Sequence, residues 1–495
     1  MNATFTELKE RVAEISDLDR AAALLGWDQQ VKMPPGGSGV RAEQLATLER
    51  LAHETLASDE TGRLLDRLRP YEESLEYDSD EASLIRLMHR EWEKARRVPA
   101  ELQGEMSRAA SLAMPVWVRA RQEKDFSQFL PALRENFELR RRYVECFDDY
   151  DEPYDVVLDD FEPGMKTAEV RAVFDRLKRE QVPLVAEVRE RGERPLRGVS
   201  FPLEGQQEFE LKVIERFGFD RSEWRLDTAV HPFASSLATT DIRLTTRYFE
   251  DNLDGLFGTM HECGHGLYEH GVARELERTP LARGASLGFH ESQSRMWENM
   301  VGRSLPFWRH FFPQLQRTFP DALREVELPE LYRSVNWVEP SYIRVEADEA
   351  TYNLHIILRF ELEQELLAGS LDLDELPQIW RQRMQDYLGV EPPDDALGVL
   401  QDMHWAVGAI GYFSTYALGN VISAQLWDRI QAEIPDLHDQ FEAGEFGALA
   451  TWLGANLWRH GRKFTPRELL ERITGGGLDP EPYLRYLRGK YPLAA

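Results

Sequence analysis

The amino-acid sequence predicts a mainly α-helical protein with a small β-ribbon near residues 224–249. Two observations predict this fold class. Apolar residues recur at helical intervals in long blocks on both sides of the ribbon, and a single short stretch has the composition of strands. A chain of 495 residues is compatible with about three domains or with one large helical body. Because no internal repeat or low-complexity linker divides the chain, we expect residues 1–495 to form one domain.

The first part of the chain contributes four helical blocks. Apolar residues are spaced for one face of a helix in residues 40–56, 81–97 and 129–143. The segment Pro34-Pro35-Gly36-Gly37 interrupts the pattern before the first of these blocks. The same spacing returns in residues 167–191, so we predict a fourth helix there.

A change of composition marks the predicted ribbon. Between residues 224 and 249 the chain is enriched in Thr, Val, Ile, Leu and Tyr, and residues 241–248 can alternate between two faces. The helical signal resumes at Asp254 and includes a long stretch after Pro340, from residue 342 to about residue 367. Further helices are predicted from there to the C-terminus.

The charge balance argues against two kinds of binding partner. The chain has 87 acidic and 59 basic residues, a net charge of −28, which disfavours binding to nucleic acid or to an anionic membrane surface. Its only cysteines are Cys146 and Cys263, which fits a reducing compartment. The N-terminus carries charges where a signal peptide is apolar, and no apolar run reaches the roughly 18 residues of a membrane span. We therefore expect a cytoplasmic protein.

The segment His261-Glu262-Cys263-Gly264-His265 contains the pattern His-Glu-x-x-His. If the helix predicted from Asp254 includes it, the two imidazoles lie one turn apart on the same face and can reach one ion. Glu262 points just to one side, where its carboxylate can take the proton of an attacking water without being a ligand. Cys263 is interpreted as a packing residue. A short pattern of this kind also arises by chance, so it does not settle the function alone.

A second acidic cluster supplies a candidate for the third ligand. A catalytic zinc site uses three protein ligands and keeps one position open. The segment from Phe289 to Arg295 begins another helical pattern that ends near Val301, and Glu291 lies within it. The alternative for Glu291 is a solvated glutamate on a helix face.

With these motifs, the sequence resembles the carboxypeptidase Taq family of metallocarboxypeptidases. The resemblance rests on six blocks that occur in the family's order, and the length and helical character of the whole chain also fit. These blocks are His231-Pro232-Phe233, Asp241-Ile242-Arg243-Leu244-Thr245, His261 to His265, His290-Glu291-Ser292-Gln293, Ile343-Arg344-Val345-Glu346-Ala347-Asp348, and Gly398-Val399-Leu400-Gln401-Asp402-Met403-His404-Trp405.

The resemblance implies a large two-lobed helical body with a deep active-site groove, formed as a single peptidase domain. It implies that His261, His265 and Glu291 bind a zinc or cobalt ion and that Glu262 is the general base. It also implies a homodimer. The implied activity is hydrolysis of the C-terminal peptide bond of peptides with broad specificity.

A carboxypeptidase recognises a free C-terminal carboxylate, for which a planar guanidinium offers bidentate geometry. Arg344 is the first candidate, because it lies near the start of the long helix predicted after Pro340, where Glu346 and Asp348 can orient it. Arg243 in the ribbon is the second candidate. The alternative for both is a structural or ion-paired arginine. His231 is either a structural histidine or a residue of the groove.

The negative charge that develops on the substrate carbonyl oxygen needs a preorganised donor. His404 and Tyr412 are eight residues apart, so a helix over residues 402–414 would place both on one broad stripe. Tyr416 lies one turn beyond Tyr412 and competes with it for this role. The alternative is that these are packed aromatic residues of a glycine-rich helix.

Two other functions remain open from the sequence. A metal-dependent oligopeptidase with the same motif would cut internal bonds. An acidic helical scaffold would use His-Glu-x-x-His to bind a structural metal or none. Digestion products distinguish the first alternative, and a Glu262→Gln variant that retains metal but loses activity excludes the second.

Overall fold

The computed structural model describes residues 2–189 and 194–491. The helices that precede the sheet are α1 (Ala3–Val31), α2 (Ser38–Leu56), α3 (Asp59–Glu73), α4 (Asp80–Arg97), α5 (Ala100–Glu123), α6 (Leu130–Val144), α7 (Pro153–Asp159), α8 (Thr167–Val188) and α9 (Leu203–Phe217). The strands are β1 (Trp224–Thr228), β2 (Ala234–Ala238) and β3 (Asp241–Thr246).

Helices also form the rest of the described chain. They are α10 (Asp254–His270), α11 (Leu287–Arg295), α12 (Leu305–Thr318), α13 (Pro320–Leu323), α14 (Leu328–Val335), α15 (Glu349–Ala368), α16 (Leu376–Leu388), α17 (Ser414–Glu433), α18 (Leu437–Glu442), α19 (Gly447–Asn456), α20 (Pro466–Thr474) and α21 (Glu481–Lys490). The predicted fold class, mainly α with a small β element, is confirmed. None of these helices is long and apolar enough to cross a membrane.

The predicted ribbon is a three-stranded mixed sheet in the order β1-β3-β2. β3 pairs in parallel with β1 and antiparallel with β2. The central strand β3 is the most buried, because Ile242 and Leu244 both lie in the core. α10 packs closely on this sheet, since a Cβ at Gly266 would lie 2.4 Å from the ring of Trp224.

Two hydrophobic clusters hold the helices together. The larger one extends from α5 to α21 and includes the sheet. A smaller one joins α1, α3 and α4 to residues 272–282. Burial of these apolar side chains is the main favourable contribution to folding.

α10, α11 and α17 approach one another closely, and glycine permits this contact at two positions. A Cβ at Gly264 would lie 2.6 Å from the carbonyl oxygen of Gln293 on α11. A Cβ at Gly419 on α17 would lie 2.6 Å from Cγ of Glu291. Contacts this short exclude any larger residue unless a backbone moves, so α11 is fixed between its two neighbours.

Three local expectations need correction. Residues 402–413 form turns rather than a helix, because Gly408 and Gly411 have φ values of 71° and 98° and a right-handed helix cannot contain them. The helix after Pro340 begins at Glu349, so Arg344 lies before it in a short 3-10 turn. The predicted helix over 167–191 ends at Val188, and residues 190–193 lie outside the described chain.

Candidate metal centre

α10 and α11 bring the three predicted metal ligands together. The rings of His261 and His265 lie one turn apart on α10, with centroids 4.9 Å apart. Nε2 of His261 lies 3.6 Å and Nε2 of His265 3.5 Å from Oε2 of Glu291. One ligand atom of each residue can therefore be chosen so that all three lie within 4.8 Å of one another. Within residues 2–189 and 194–491, no other group of this kind is found.

Glu298 holds the far side of the His261 ring. It lies in a π-helical turn, Met296–Val301, that continues α11, and its Oε2 is 2.9 Å from Nδ1 of His261. Burial alone would raise the pKa of Glu298, but Arg295 and the hydrogen bond with His261 outweigh burial and lower that pKa to about 2. An ionised carboxylate only accepts hydrogen bonds, so Nδ1 of His261 carries the proton and Nε2 is free toward Glu291.

His265 is oriented by a chain of two hydrogen bonds. Its Nδ1 lies 2.6 Å from Nδ1 of His290, and Nε2 of His290 lies 2.8 Å from Oε1 of Glu269. Burial opposes ionisation of Glu269, but its hydrogen bonds with His290 and with the backbone N–H of Gly284 lower its pKa to about 2. Because Glu269 accepts, Nε2 of His290 donates. When Nε2 holds the only proton of the His290 ring, Nδ1 of that ring accepts from Nδ1–H of His265.

Glu291 uses its two oxygens for different partners. Oε1 accepts from Nε of Arg295 at 2.7 Å, whereas Oε2 faces the two histidines. Burial would raise the pKa of Glu291, yet Arg295 and His261 hold that pKa well below its usual range. The side chain of Arg295 is 13% exposed, and its guanidinium lies 4.1 Å from the ring of Tyr352. The carboxylate of Glu291 is thus charged and fixed.

Glu262 follows His261 on α10 and is 7% exposed. Its carboxylate makes no hydrogen bond or ion pair with another residue of the described chain. Burial raises its pKa to about 7. A carboxylate with a pKa near neutrality that is free of other partners suits a group that takes up and returns a proton.

His404, Tyr412 and Tyr416 form an aromatic group beside the three ligands. The ring centroids of His404 and Tyr412 are 5.2 Å apart, although no helix joins them. Nε2 of His404 lies 3.2 Å from the hydroxyl of Tyr416. Burial raises the pKa of Tyr412 to about 12, and the charge of Glu291 adds to this effect. Burial likewise raises the pKa of Tyr416 well above its ordinary value, so both hydroxyls stay protonated and can donate at neutral pH.

Arg344 is held by partners that the sequence did not indicate. Its Nε and Nη2 donate to Oδ1 of Asp402 at 3.1 and 2.9 Å, and Nη1 donates to the hydroxyl of Tyr352 at 2.9 Å. The neighbours expected to orient it do not do so, because Asp348 caps α15 and Glu346 makes no ion pair with it. The guanidinium lies 4.7 Å from the ring of Tyr416. Arg344 therefore adjoins the aromatic group.

The other two candidates for substrate binding lie elsewhere. Arg243 makes a bidentate ion pair with Asp241 at 2.9 and 3.0 Å, and its guanidinium lies 4.5 Å from the ring of Trp27 on α1. His231 is exposed in the connection between β1 and β2 and makes no hydrogen bond or ion pair within the described chain. Neither contacts the three predicted ligands.

A cavity of about 240 Å³ adjoins the centre on the side of His265 and His290. Its walls include β2 and two arginines, Arg20 of α1 and Arg283. Arg20 is bound to backbone, since it donates to the carbonyls of Ser236 and Ala282. The centre therefore has open space next to it.

The groups that orient the ligands do not belong to the His-Glu-x-x-His pattern, and motif spacing did not identify them. Glu269 is four residues after His265, and Arg295 is four residues after Glu291, so helical i,i+4 spacing could have identified both. His290 belongs to one of the six sequence blocks, but the sequence did not indicate its role. Glu298 could not have been found by α-helical spacing, because a π-helical turn places it against His261.

A mainly helical body in which His-Glu-x-x-His and a carboxylate of a following helix converge defines a metallopeptidase. Comparison with known proteins gives the particular family. Residues 7–491 match the carboxypeptidase Taq (M32) metallopeptidase family. The chain therefore belongs to the M32 family and is a metallocarboxypeptidase, as the resemblance predicted, and the non-catalytic scaffold is set aside.

Individual relatives match along their whole length. Thermostable carboxypeptidase 1 of Thermus thermophilus is 40% identical over 99% of this chain and 98% of its own. Carboxypeptidase 1 of Bacillus subtilis is 37% identical over 98% of this chain and 97% of its own. The solved structure of the M32 carboxypeptidase from Deinococcus radiodurans R1 has a TM-score of 0.95 and 40% identity, with 99% of each chain covered.

Proposed function

We propose that the protein removes single residues from the C-termini of peptides, with broad tolerance of side chains, and that it uses a zinc ion held by His261, His265 and Glu291. The observation that carries the proposal is the convergence of both Nε2 atoms on Oε2 of Glu291 at 3.6 and 3.5 Å. A cobalt ion is an acceptable substitute, since two imidazoles and a carboxylate suit several divalent ions.

The residues present fit such an ion. Each histidine has its Nδ1 engaged by an acceptor, so each presents a lone pair at Nε2, and Glu291 is charged. Two imidazoles and one carboxylate form a common donor set of catalytic zinc sites. When bound, the ion would act as a Lewis acid that polarises the scissile carbonyl and makes a water acidic near neutral pH.

Glu262 is the proposed general base. It takes a proton from the attacking water and later transfers it to the leaving amine. Its buried position keeps its pKa at about 7, close to the pH at which both transfers must occur. Since nothing else in the described chain binds this carboxylate, it is free to contact substrate and water.

Tyr412 is the proposed donor to the negative charge that develops on the carbonyl oxygen. Tyr416 is the less suitable of the two tyrosines, because its hydroxyl already lies 3.2 Å from Nε2 of His404. His404 would support this group. Burial lowers the pKa of His404 to about 4, so the ring is neutral and can donate or accept one hydrogen bond at each nitrogen.

Arg344 is the proposed anchor for the C-terminal carboxylate of the substrate. Three of its N–H groups are used by Asp402 and Tyr352, which leaves one N–H on each terminal nitrogen for a ligand. Arg243 and His231 remain secondary candidates for contacts farther along the peptide. Both lie on the sheet or its connections.

Further properties belong to the proposal through family membership. We propose that residues 1–495 form one catalytic domain, that the protein is a cytoplasmic homodimer, and that peptides with a free C-terminus are its substrates. The net charge of −28 is consistent with a protein that binds neither nucleic acid nor anionic membranes.

The test uses zinc-loaded protein and matched peptides. A peptide with a free C-terminus and an acylated N-terminus should be shortened one residue at a time in mass spectra, whereas the C-terminally amidated peptide should be left intact. Internal fragments would instead favour an oligopeptidase. Glu262→Gln should retain zinc and lose activity by a factor of about 10² to 10⁴, while Glu208→Gln on the surface of α9 serves as the control.

A further inference from the structure

Behind Arg344 lies a second arginine, Arg359 of α15, which is completely buried. We propose that Arg359 is a positioning residue for recognition of the C-terminal carboxylate, because it offsets the charge of Asp402 and so leaves the positive charge of Arg344 available to the substrate. This inference rests on the proposed role of Arg344. Arg359 lies outside the six sequence blocks on which the family resemblance rests.

Asp402 is shared between the two arginines. Its Oδ1 accepts from Nε and Nη2 of Arg344 at 3.1 and 2.9 Å. Its Oδ2 accepts from Nε of Arg359 at 2.7 Å and pairs with Nη2 at 2.5 Å. Within the two described stretches of the chain, Asp402 is the one carboxylate with which either guanidinium forms an ion pair. The cluster therefore contains two cations and one anion.

The other groups around the cluster do not cancel the excess charge. Burial keeps the pKa of His404 at about 4 and that of His355 well below its usual range, so both rings are neutral. Glu363 lies one turn after Arg359 on α15, but its carboxylate accepts from Tyr154, Trp405 and the backbone of Gly411 and forms no ion pair with Arg344 or Arg359. The net charge of Arg344, Asp402 and Arg359 is thus +1.

Arg359 is rigid in this position. Its Nη1 donates to the carbonyl of His355 at 2.6 Å. Its guanidinium lies 4.6 Å from the ring of Trp380 and 5.3 Å from that of Phe413. The ring of Phe413 also lies 5.8 Å from the guanidinium of Arg344, so one aromatic side chain contacts both cations. Arg359 itself has no exposed surface with which to contact a peptide.

The charge balance explains why a second arginine is needed. Arg344 and Asp402 alone would form a neutral pair, and a carboxylate that approached Arg344 would also be repelled by Asp402. Such charges interact strongly in a buried site, where water does not screen them well. With Arg359 on the other oxygen of Asp402, the repulsion is offset. Arg344 keeps both its fixed orientation and its attraction for an anion.

The experiment compares inhibition by a non-cleavable N-acyl dipeptide acid, in which a methylene group replaces the scissile carbonyl, with inhibition by the C-terminal amide of the same compound. Arg359→Met should weaken binding of the acid by at least about tenfold and leave binding of the amide unchanged, with KM for free-acid peptides rising more than kcat falls. In Arg359→Met/Asp402→Asn the carboxylate is removed as well, so much of the affinity for the acid should return. Zinc content and melting temperature show whether each variant is folded.

Three results would overturn the inference. These are an equal loss for acid and amide in Arg359→Met, a further loss of acid binding in the double variant, or a folded Arg359→Lys protein that no longer prefers the acid. Arg359→Lys keeps the charge and serves if Arg359→Met does not fold. Arg344→Met separates the two proposals: if that variant still prefers the acid, the proposed anchor is wrong, whereas loss of the preference there but not in Arg359→Met refutes only the role of Arg359.

Discussion

Nδ1 of His290 lies 2.6 Å from Nδ1 of His265, and the opposite nitrogen of His290 is bound to Glu269. This relationship determines which nitrogen of His265 carries the proton. Without an acceptor at Nδ1, the ring of His265 can rotate or adopt the tautomer that is protonated at Nε2. The metal affinity of the centre therefore depends on a histidine that is not itself a ligand.

His290→Phe should lower zinc affinity by a factor of about 10 to 100, the usual effect of removing a partner of a metal-binding histidine. Competition with a chromophoric chelator at fixed pH measures this directly. His270→Phe is a matched control, because His270 lies on α10 and pairs with Glu223. Unchanged zinc affinity in His290→Phe would show that His265 does not need the relay.

Tyr412→Phe should reduce kcat by a factor of about 10² to 10³, as expected for the loss of one donor to a developing oxyanion. Tyr416→Phe should have a smaller effect on kcat, since the hydroxyl of Tyr416 is engaged by His404. Steady-state kinetics on one N-acylated peptide compares the two. A larger loss of kcat in Tyr416→Phe would transfer the role to Tyr416.

The features that the sequence predicted correctly depend on local spacing. The helix predicted over residues 81–97 is found as Asp80–Arg97, and the helix expected from Asp254 contains both predicted histidine ligands. Apolar periodicity identifies such segments because it records which face of a helix is buried. The sequence indicated Glu291 for a similar reason, as an acidic residue in a second helical segment, and the structure places its carboxylate beside both histidines.

The features that the sequence did not predict depend on tertiary contacts or unusual backbone. The turns at residues 402–413 follow from the positive φ values of Gly408 and Gly411, which helical spacing cannot reveal. The partner of Arg344 is Asp402, 58 residues away, rather than its sequence neighbours. Long-range partners of this kind are fixed by packing, so spacing alone cannot identify them.

Gly419→Ala should displace Glu291, because the new Cβ would lie 2.6 Å from its Cγ and 3.0 Å from its backbone carbonyl carbon. Overpacking of this kind costs about 1–3 kcal/mol of unfolding free energy, and zinc affinity should fall as well. Urea denaturation and chelator competition measure the two effects. Gly447→Ala is the control, since a Cβ there meets nothing within 4 Å. Equal behaviour of both variants would contradict the packing described.

Glu210 gives a prediction for stability against pH. Burial raises its pKa to about 8 from an ordinary value of 4.5, and among the described residues only Thr259 donates to it. Between these values the folded protein binds a proton that the unfolded chain does not. Its contribution to stability is therefore complete below pH 4.5 and is lost as the pH rises to about 8, at up to about 1.4 kcal/mol per pH unit.

Glu210→Gln removes this dependence. The urea midpoint of the variant minus that of the unmodified protein should increase as the pH is raised from 5 to 8 or 9. Glu208→Gln, on the exposed side of the same helix, should follow the unmodified protein at every pH. A constant difference between Glu210→Gln and the unmodified protein across this range would mean that Glu210 is ionised in the folded state at all of these pH values.

The central claim is that one ion is bound jointly by two histidines of α10 and a carboxylate of α11. Anomalous diffraction at the zinc edge, from crystals of the zinc-loaded protein, measures this most directly. We predict one strong peak at roughly 2.0–2.2 Å from Nε2 of His261, Nε2 of His265 and Oε2 of Glu291. A peak that lacks Glu291 as a neighbour, or that lies away from both histidines, would contradict the claim.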